Sequence, residues 1–303
     1  MIQLISTLQD LIAPLTKAEF LAHLRERTVA FVRTSQPQRF ETLLDWDELN
    51  FLVESGLYPV EELRVRASMP IPTNTYTFEG QIDPAAFLSL MDRDASLIFN
   101  RLDKYLPRLC RLCHQIAEQT GEQVTADAMV RSEMDGARPY INTKDICVLQ
   151  IAGSARWQLC NPSIVNPLEE MSAPPGPQSA PLFDEMLHVG DFLFVPAGCS
   201  QRCGYGPGRS LHVCIVLESP CGQEVVTWLT SQLATDEAFN RPLTRYADAS
   251  ALASHEAALK ARLIEQVQAW SLAGFLAARA AARSKEVGIH LQGTQNAVEG
   301  AEA

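Results

Sequence analysis

From Val124 to Glu218 the chain is a succession of short apolar runs cut by turn residues, and this rhythm restricts the fold more than any other feature. The runs are Ala128–Arg131, Ile146–Ile151, Arg156–Cys160, Phe192–Val195 and Ser210–Glu218. Gly153, Asn161-Pro162, Gly190-Asp191 and the glycines between 204 and 208 separate them. Runs this short do not make useful helices, but each suits a strand with a buried face, and many such strands predict a β-sandwich or barrel. Ser172–Pro181 (SAPPGPQSAP) reads as a flexible or polyproline-like surface loop.

The flanks have a different period. Leu8, Leu11, Ile12, Leu15, Phe20, Leu21 and Leu24 predict helix over 7–26, broken at Pro14. Phe40–Ser55 and Lys104–Thr120 also read as helices, the second closed by Gly121. Asp83 and Pro84 have the cap and first-turn chemistry of a helix reaching Leu90. Thr28–Arg33, Leu63–Ala67, Thr75–Phe78 and Ser96–Phe99 read as strands. After Ser219 helical periodicity returns at 223–233 and at 252–283, where no stop signal precedes Gly288. Leu259, Leu263, Val267, Trp270, Leu272, Phe275 and Leu276 on the second helix need burial against the barrel or a second subunit, so a homodimer is expected. The expected layout is a flank at 1–85, a barrel at 86–218 and a helical region at 219–303, with a disordered tail from about 292.

Charge narrows the partners. A formal net charge of −11 without a dense Lys/Arg cluster argues against nucleic acid. No uncharged apolar run is long enough for a membrane helix, and Met1–Leu15 lacks the features of a secretory signal, so a cytoplasmic protein is expected. In that compartment its eight cysteines would be free thiols. Cys110, Cys113 and His114 match the CxxCH haem-attachment pattern. They sit among Leu106, Leu109, Leu112 and Ile116, however, and read as one face of an amphipathic helix.

Two stretches carry chemistry: Arg138–Trp157 (RPYINTKDICVLQIAGSARW) and Gly190–His212 (GDFLFVPAGCSQRCGYGPGRSLH). Here the chain resembles the bacterial JmjC/cupin-like family that includes asparaginyl and ribosomal-protein hydroxylases. The family's first stretch reads P-H-x-D-x-x-D-V-F-V-L-Q-x-x-G-x-K-x-W. Its second reads G-D-x-L-Y-x-P-x-G-W-x-H, followed by S-L-H. Pro139, Asp145, Val148, Leu149, Gln150, Gly153 and Trp157 fall in register in the first. Gly190, Asp191, Leu193, Pro196, Gly198, Ser210, Leu211 and His212 do so in the second. The segments at 45–56 and 95–103 are similar to the family too.

The resemblance implies a mainly β fold: a double-stranded β-helix (jelly-roll, cupin, JmjC-like) with N-terminal helices and a C-terminal helical extension. It also implies a site. In the family a His-x-Asp pair and a distal His hold Fe(II), and the Lys of G-x-K-x-W pairs with 2-oxoglutarate. Those positions are here Tyr140, Asn142, Gln201 and Ala155, and a Tyr on a preceding strand corresponds to Val130. Amides are weak, uncharged donors, and deprotonating a phenol at neutral pH is costly. The expectation is therefore a degenerate site with no cofactor, neither Fe(II) nor 2-oxoglutarate. The chain would be a non-catalytic protein binding a small molecule, protein or peptide. Its pocket would comprise Tyr140, Asn142, Ile146, Val148, Ala155, Gln201 and His212. The alternative is a repurposed or atypical oxygenase-like enzyme: metal-free with Tyr140 as acid or base, using a metal on His188, Cys199 and Cys203, or a divergent Fe(II)/2-oxoglutarate hydroxylase.

Overall fold

Strand residues here alternate between two environments, one packed beneath helices and one closed against a second sheet. The computed structural model describes residues 5–67, 70–93, 95–131, 139–160, 171–172, 180–205, 208–243 and 245–282. The described chain divides into two units, Met1–Ser219 and Pro220–Ala303. The tail from 292 and most of the loop 172–181 lie outside the described residues.

The first unit begins with α1 (Leu8–Ile12) and α2 (Lys17–Glu26), opened by reciprocal Thr7/Asp10 and Thr16/Glu19 capping boxes. β1 (Ala30–Val32) follows. The helix expected from Phe40 starts only at Trp46: α3 is Trp46–Glu54, because the Asp45 side chain accepts the Glu48 N–H and stops the helix growing backwards. Next come β2 (Leu63–Arg66), the hairpin of β3 (Thr77–Phe78) with β4 (Gln81–Ile82), and α4 (Pro84–Ser89) under its Asp83 cap. β5 (Ser96–Phe99) precedes α5 (Pro107–Thr120), which ends at Gly121 with φ +80°. On α5, Cys113 is buried beside Leu109, Leu112 and Ile116, and His114 meets Glu118 at 3.1 Å, as the helical reading of CxxCH requires.

The remaining strands are β6 (Gln123–Arg131), β7 (Tyr140–Ile141), β8 (Asp145–Ala152), β9 (Ala155–Cys160), β10 (Met171–Ser172), β11 (Phe183–Leu187), β12 (Phe192–Val195), β13 (Ser200–Tyr205) and β14 (Ser210–Glu218). They build a seven-stranded sheet ordered β1-β12-β8-β14-β6-β5-β2 and a five-stranded sheet ordered β10-β7-β13-β9-β11. Every described pairing is antiparallel.

Alternation sorts the side chains. Ala126, Ala128, Val130, Cys147, Leu149, Leu211, Val213 and Ile215 point outward from the large sheet, into the core shared with the N-terminal helices. Ile146, Val148, Leu193 and Val195 point inward and meet Ala155, Trp157, Leu159 and Cys203 of the small sheet. That second cluster is the barrel interior.

The C-terminal unit contains α6 (Gly222–Leu233), α7 (Glu237–Asn240) and α8 (Ala249–Ala269). The single helix expected over 252–283 is broken: α8 ends before Trp270, and residues 272–282 form another helix. Ser271 is the reason, since its Oγ accepts the Gly274 N–H and caps the new start. Within this unit Phe275 packs edge-on to Trp228 at 5.7 Å. The expected burial of the stripe fails in the single chain, where Val267 is 56% exposed and Leu272 59%.

Candidate functional site

Tyr140 on β7 lies directly opposite Gln201 on β13, so both side chains face the barrel interior. Asn142 continues that strand, its carbonyl accepting the Gly198 N–H at 2.9 Å. Tyr140, Asn142 and Ile146 line a cleft of about 530 Å³ that also reaches Asp127, Met129 and Cys214 on β6 and β14. Arg66 of β2 stacks over the Tyr140 ring, 4.8 Å from its centroid. Val148 and Ala155 are fully buried in the interior cluster. His212 is fully buried edge-on to Trp157, with 5.6 Å between ring centroids. Burial lowers its pKa from 6.5 to about 4, so the imidazole is neutral at physiological pH.

Gln201 is 0% exposed, and neither of its amide atoms has a hydrogen-bond partner. The Trp157 Nε1 lies buried and without a hydrogen bond on the neighbouring strand. Buried amides are nearly always satisfied, so Gln201 is a costly residue to keep among the apolar side chains of the interior.

The residues that resemble the family frame do a different job. Asp145 is buried, and its carboxylate accepts the Ala197 N–H at 2.7 Å. Asp191 accepts the Thr34 N–H at 3.0 Å and the His188 N–H at 2.9 Å. The Gln150 amide donates to Ser210 Oγ at 2.9 Å. Gly153 has φ +66°, and a Cβ there would lie 2.3 Å from the Arg209 carbonyl oxygen. These groups fix strand ends and turns.

Two placements differ from expectation, those of Val130 and His188. Val130 does not approach the site: it pairs with Leu97 and Leu211 and faces outward, so the inward residues of β6 are Asp127 and Met129. His188 is exposed on a turn, whereas Cys199 and Cys203 are buried in the interior, so the Cys/His metal set does not converge. Burial also pushes the Cys199 thiol up to about 11, away from the thiolate that a soft metal needs. Among the described residues no group of three or more His, Cys, Asp or Glu side chains could hold a metal ion.

Sequence reasoning missed Asp127. It lies opposite Cys214 on the inner face, and its Oδ1 accepts the Arg101 N–H at 2.9 Å. Arg101 has φ +57°, a conformation uncommon outside glycine, and its guanidinium pairs with Asp103 at 3.3 Å. Burial raises the Asp127 carboxyl to about 6, and the charge of Asp103 adds to the shift. A carboxyl with its proton near neutrality, in a cleft with a phenol and an amide, is equipped for proton transfer. The signal available beforehand was strand alternation counted along β6, which sets Asp127 in phase with the inward Met129.

Two antiparallel sheets closed face to face, with an apolar interior between them, make a cupin-like fold. Residues 101–225 match the family model described as the JmjC domain. The bifunctional lysine-specific demethylase and histidyl-hydroxylase NO66 of Drosophila persimilis is 26% identical over 211 residues, covering 68% of this chain and 31% of that protein. Ribosomal oxygenase 2 of Rattus norvegicus is 22% identical over 220 residues, covering 69% of this chain and 47% of that one. The chain thus spans about a third to a half of the length of these curated relatives. The Escherichia coli ribosomal oxygenase YcfD, solved with cobalt and 2-oxoglutarate, superposes with a TM-score of 0.53 at 16% identity over 84% of this chain and 68% of that one. At that identity the likeness shows the fold.

The comparisons correct two expectations. The reading as a non-catalytic binding protein is overturned by relatives that bear the names of oxygenases and hydroxylases. The expectation of no cofactor is overturned by the same relatives and by YcfD structures solved with cobalt and 2-oxoglutarate or succinic acid. The expectation rested on the altered ligand positions alone, whereas the cleft itself and the Asp127 carboxyl in it are present.

Proposed function

We propose that this chain is an atypical oxygenase-like enzyme that acts on a protein substrate at the barrel-mouth cleft lined by Asp127, Tyr140 and Asn142. The supporting observation is sequence likeness to oxygenases over 211 residues, in a chain whose cleft opens onto the inner-face positions of the barrel.

The relatives point to iron and 2-oxoglutarate as cofactors. The side chains at the corresponding positions here are a phenol and two amides, with Ala155 where a carboxylate partner would stand. That set does not fit an ordinary facial triad. The chain's own groups supply binding and proton handling. Asn142 offers an amide donor and acceptor to a bound group, Arg66 stacks on the Tyr140 ring, and Asp127 keeps a proton available near neutral pH.

The test is turnover of ribosomal proteins by the purified chain, with and without added Fe(II) and 2-oxoglutarate. Intact mass detects oxygen gain or another modification, and elemental analysis reads the metal. Product that requires both additions identifies a divergent hydroxylase, the form the relatives favour. Product without them identifies a repurposed enzyme. Tyr140→Phe should lower either turnover at least about tenfold. No modified protein under any condition refutes the enzyme reading.

A further inference from the structure

On the opposite side of the large sheet lies a second pocket, of about 410 Å³, enclosed by α3, α4 and the outward faces of β5 and β6. Its walls are apolar and buried: Val53, Phe87, Leu97, Phe99 and Val130. Outward-facing Val130 belongs here, while its neighbours Asp127 and Met129 line the other cleft. The two pockets therefore open on opposite faces of one sheet.

The exposed lining residues form the rim: Asn50, Glu54, Leu88 and Arg209. Arg209 is held in place by the close approach of its carbonyl to Gly153. No ion pair or hydrogen bond engages its guanidinium among the described residues. Glu54 is the other rim charge. In a chain with 36 acidic and 25 basic side chains an unpaired glutamate is ordinary, whereas an unpaired guanidinium at a pocket rim is the group suited to an anion.

We infer that this pocket binds a monocarboxylate with an aliphatic body, the chain lying on Leu97, Phe99 and Val130 and the carboxylate at Arg209. Apolar walls with a few polar groups at the mouth are the ordinary build of a small-molecule site. The volume suits a medium-length chain, and the single guanidinium suits one carboxylate. The pocket is separate from the barrel-mouth cleft, so this site stands independently of the proposed reaction.

The experiment is a titration of the full-length protein with hexanoate, octanoate and decanoate. The signal is tryptophan fluorescence, since half-buried Trp46 lines the pocket, and calorimetry gives a second readout. Trp46→Phe assigns the signal. Affinity should rise about fourfold per methylene until the pocket is full. Arg209→Glu should weaken decanoate roughly fivefold or more. Ala152→Leu should block entry; if that variant melts early, Leu88→Phe at the exposed rim replaces it. The inference is overturned if no carboxylate saturates below its micelle concentration. It is equally overturned if decylamine or decanol binds as tightly as decanoate, or if Arg209→Glu changes nothing. 2-Oxoglutarate should not displace decanoate, and this titration reads a different site from the turnover assay.

Discussion

Both polar atoms of Gln201 are sealed in the barrel interior and neither has a partner, so replacing the amide with leucine should stabilise the protein while impairing its site. Burying an unsatisfied amide costs about 1–3 kcal/mol in proteins. Leucine is close to glutamine in size, and the positions across from Gln201 and Cys203 are Leu159 and Trp157, so its methyl groups meet an apolar wall. Gln201→Leu should therefore gain roughly 1–3 kcal/mol. At about 2–4 °C per kcal/mol for a unit of this size, the melting temperature should rise by roughly 3–10 °C. Calorimetry and urea unfolding of the full-length protein at pH 7 measure the gain, and the turnover assay should show the opposite sign, a loss of at least about tenfold. Such an inverse pair is expected where a residue is kept for a site at the expense of the fold. A lower melting temperature in Gln201→Leu would refute the reasoning, because it would mean that the amide is satisfied in solution.

The pH dependence of stability contains two opposed contributions. His212, lowered to about 4, stabilises the fold while neutral and loses that contribution as pH falls from 6.5 towards 4. Asp127, raised to about 6, stabilises it while protonated and loses that contribution as pH rises from 3.8 towards 6. Asp127→Asn should remove the second slope and steepen acid destabilisation between pH 6 and 4 by about 2–3 kcal/mol; an unchanged curve from urea midpoints across that range would contradict the Asp127 assignment. Gly153→Ala should cost roughly 2–4 kcal/mol, read by urea unfolding, because φ is +66° and the new methyl meets the Arg209 carbonyl at 2.3 Å. Asp191→Ala should cost about 3 kcal/mol by the same measurement, since it strands the Thr34 and His188 N–H groups.

The barrel was legible because its strands are short, alternate in burial and are punctuated by residues with definite turn chemistry. Ser96–Phe99, Phe192–Val195 and Ser210–Glu218 form strands with the bounds the sequence suggests. β11 was not legible: Phe183–Leu187 carries adjacent Asp184 and Glu185 in its middle, at the edge of the small sheet, and has neither alternation nor a buried run. The break at Ser271 was hidden by an Ala- and Leu-rich context in which a single serine carries the signal. In the site, Tyr140 and Gln201 were placed together by the motif frame, and their cross-strand pairing follows from it. Asp127 was invisible to that frame because it belongs to no motif. Only the pairing of β6 with β14 brings it opposite Cys214 and into the cleft.

This division explains why a motif frame reports a fold more securely than a reaction. Asp145, Gln150, Asp191, Gly153 and Gly190 satisfy backbone groups or occupy turns that a Cβ would clash with, and any sequence folding this way must meet those demands. On the inner face Asp127 meets one such demand, at the Arg101 N–H, whereas Gln201 meets none among the described residues. Gln201 leaves its hydrogen bonds unmade, and Arg101 holds a left-handed conformation while its N–H meets Asp127. Residues that cost stability, and that the backbone does not require, are the ones whose identity is free to set chemistry. By that criterion the reaction of this chain should be sought among Asp127, Tyr140, Asn142 and Gln201, and variants at these four positions should change turnover far more than they change the unfolding midpoint in the destabilising direction.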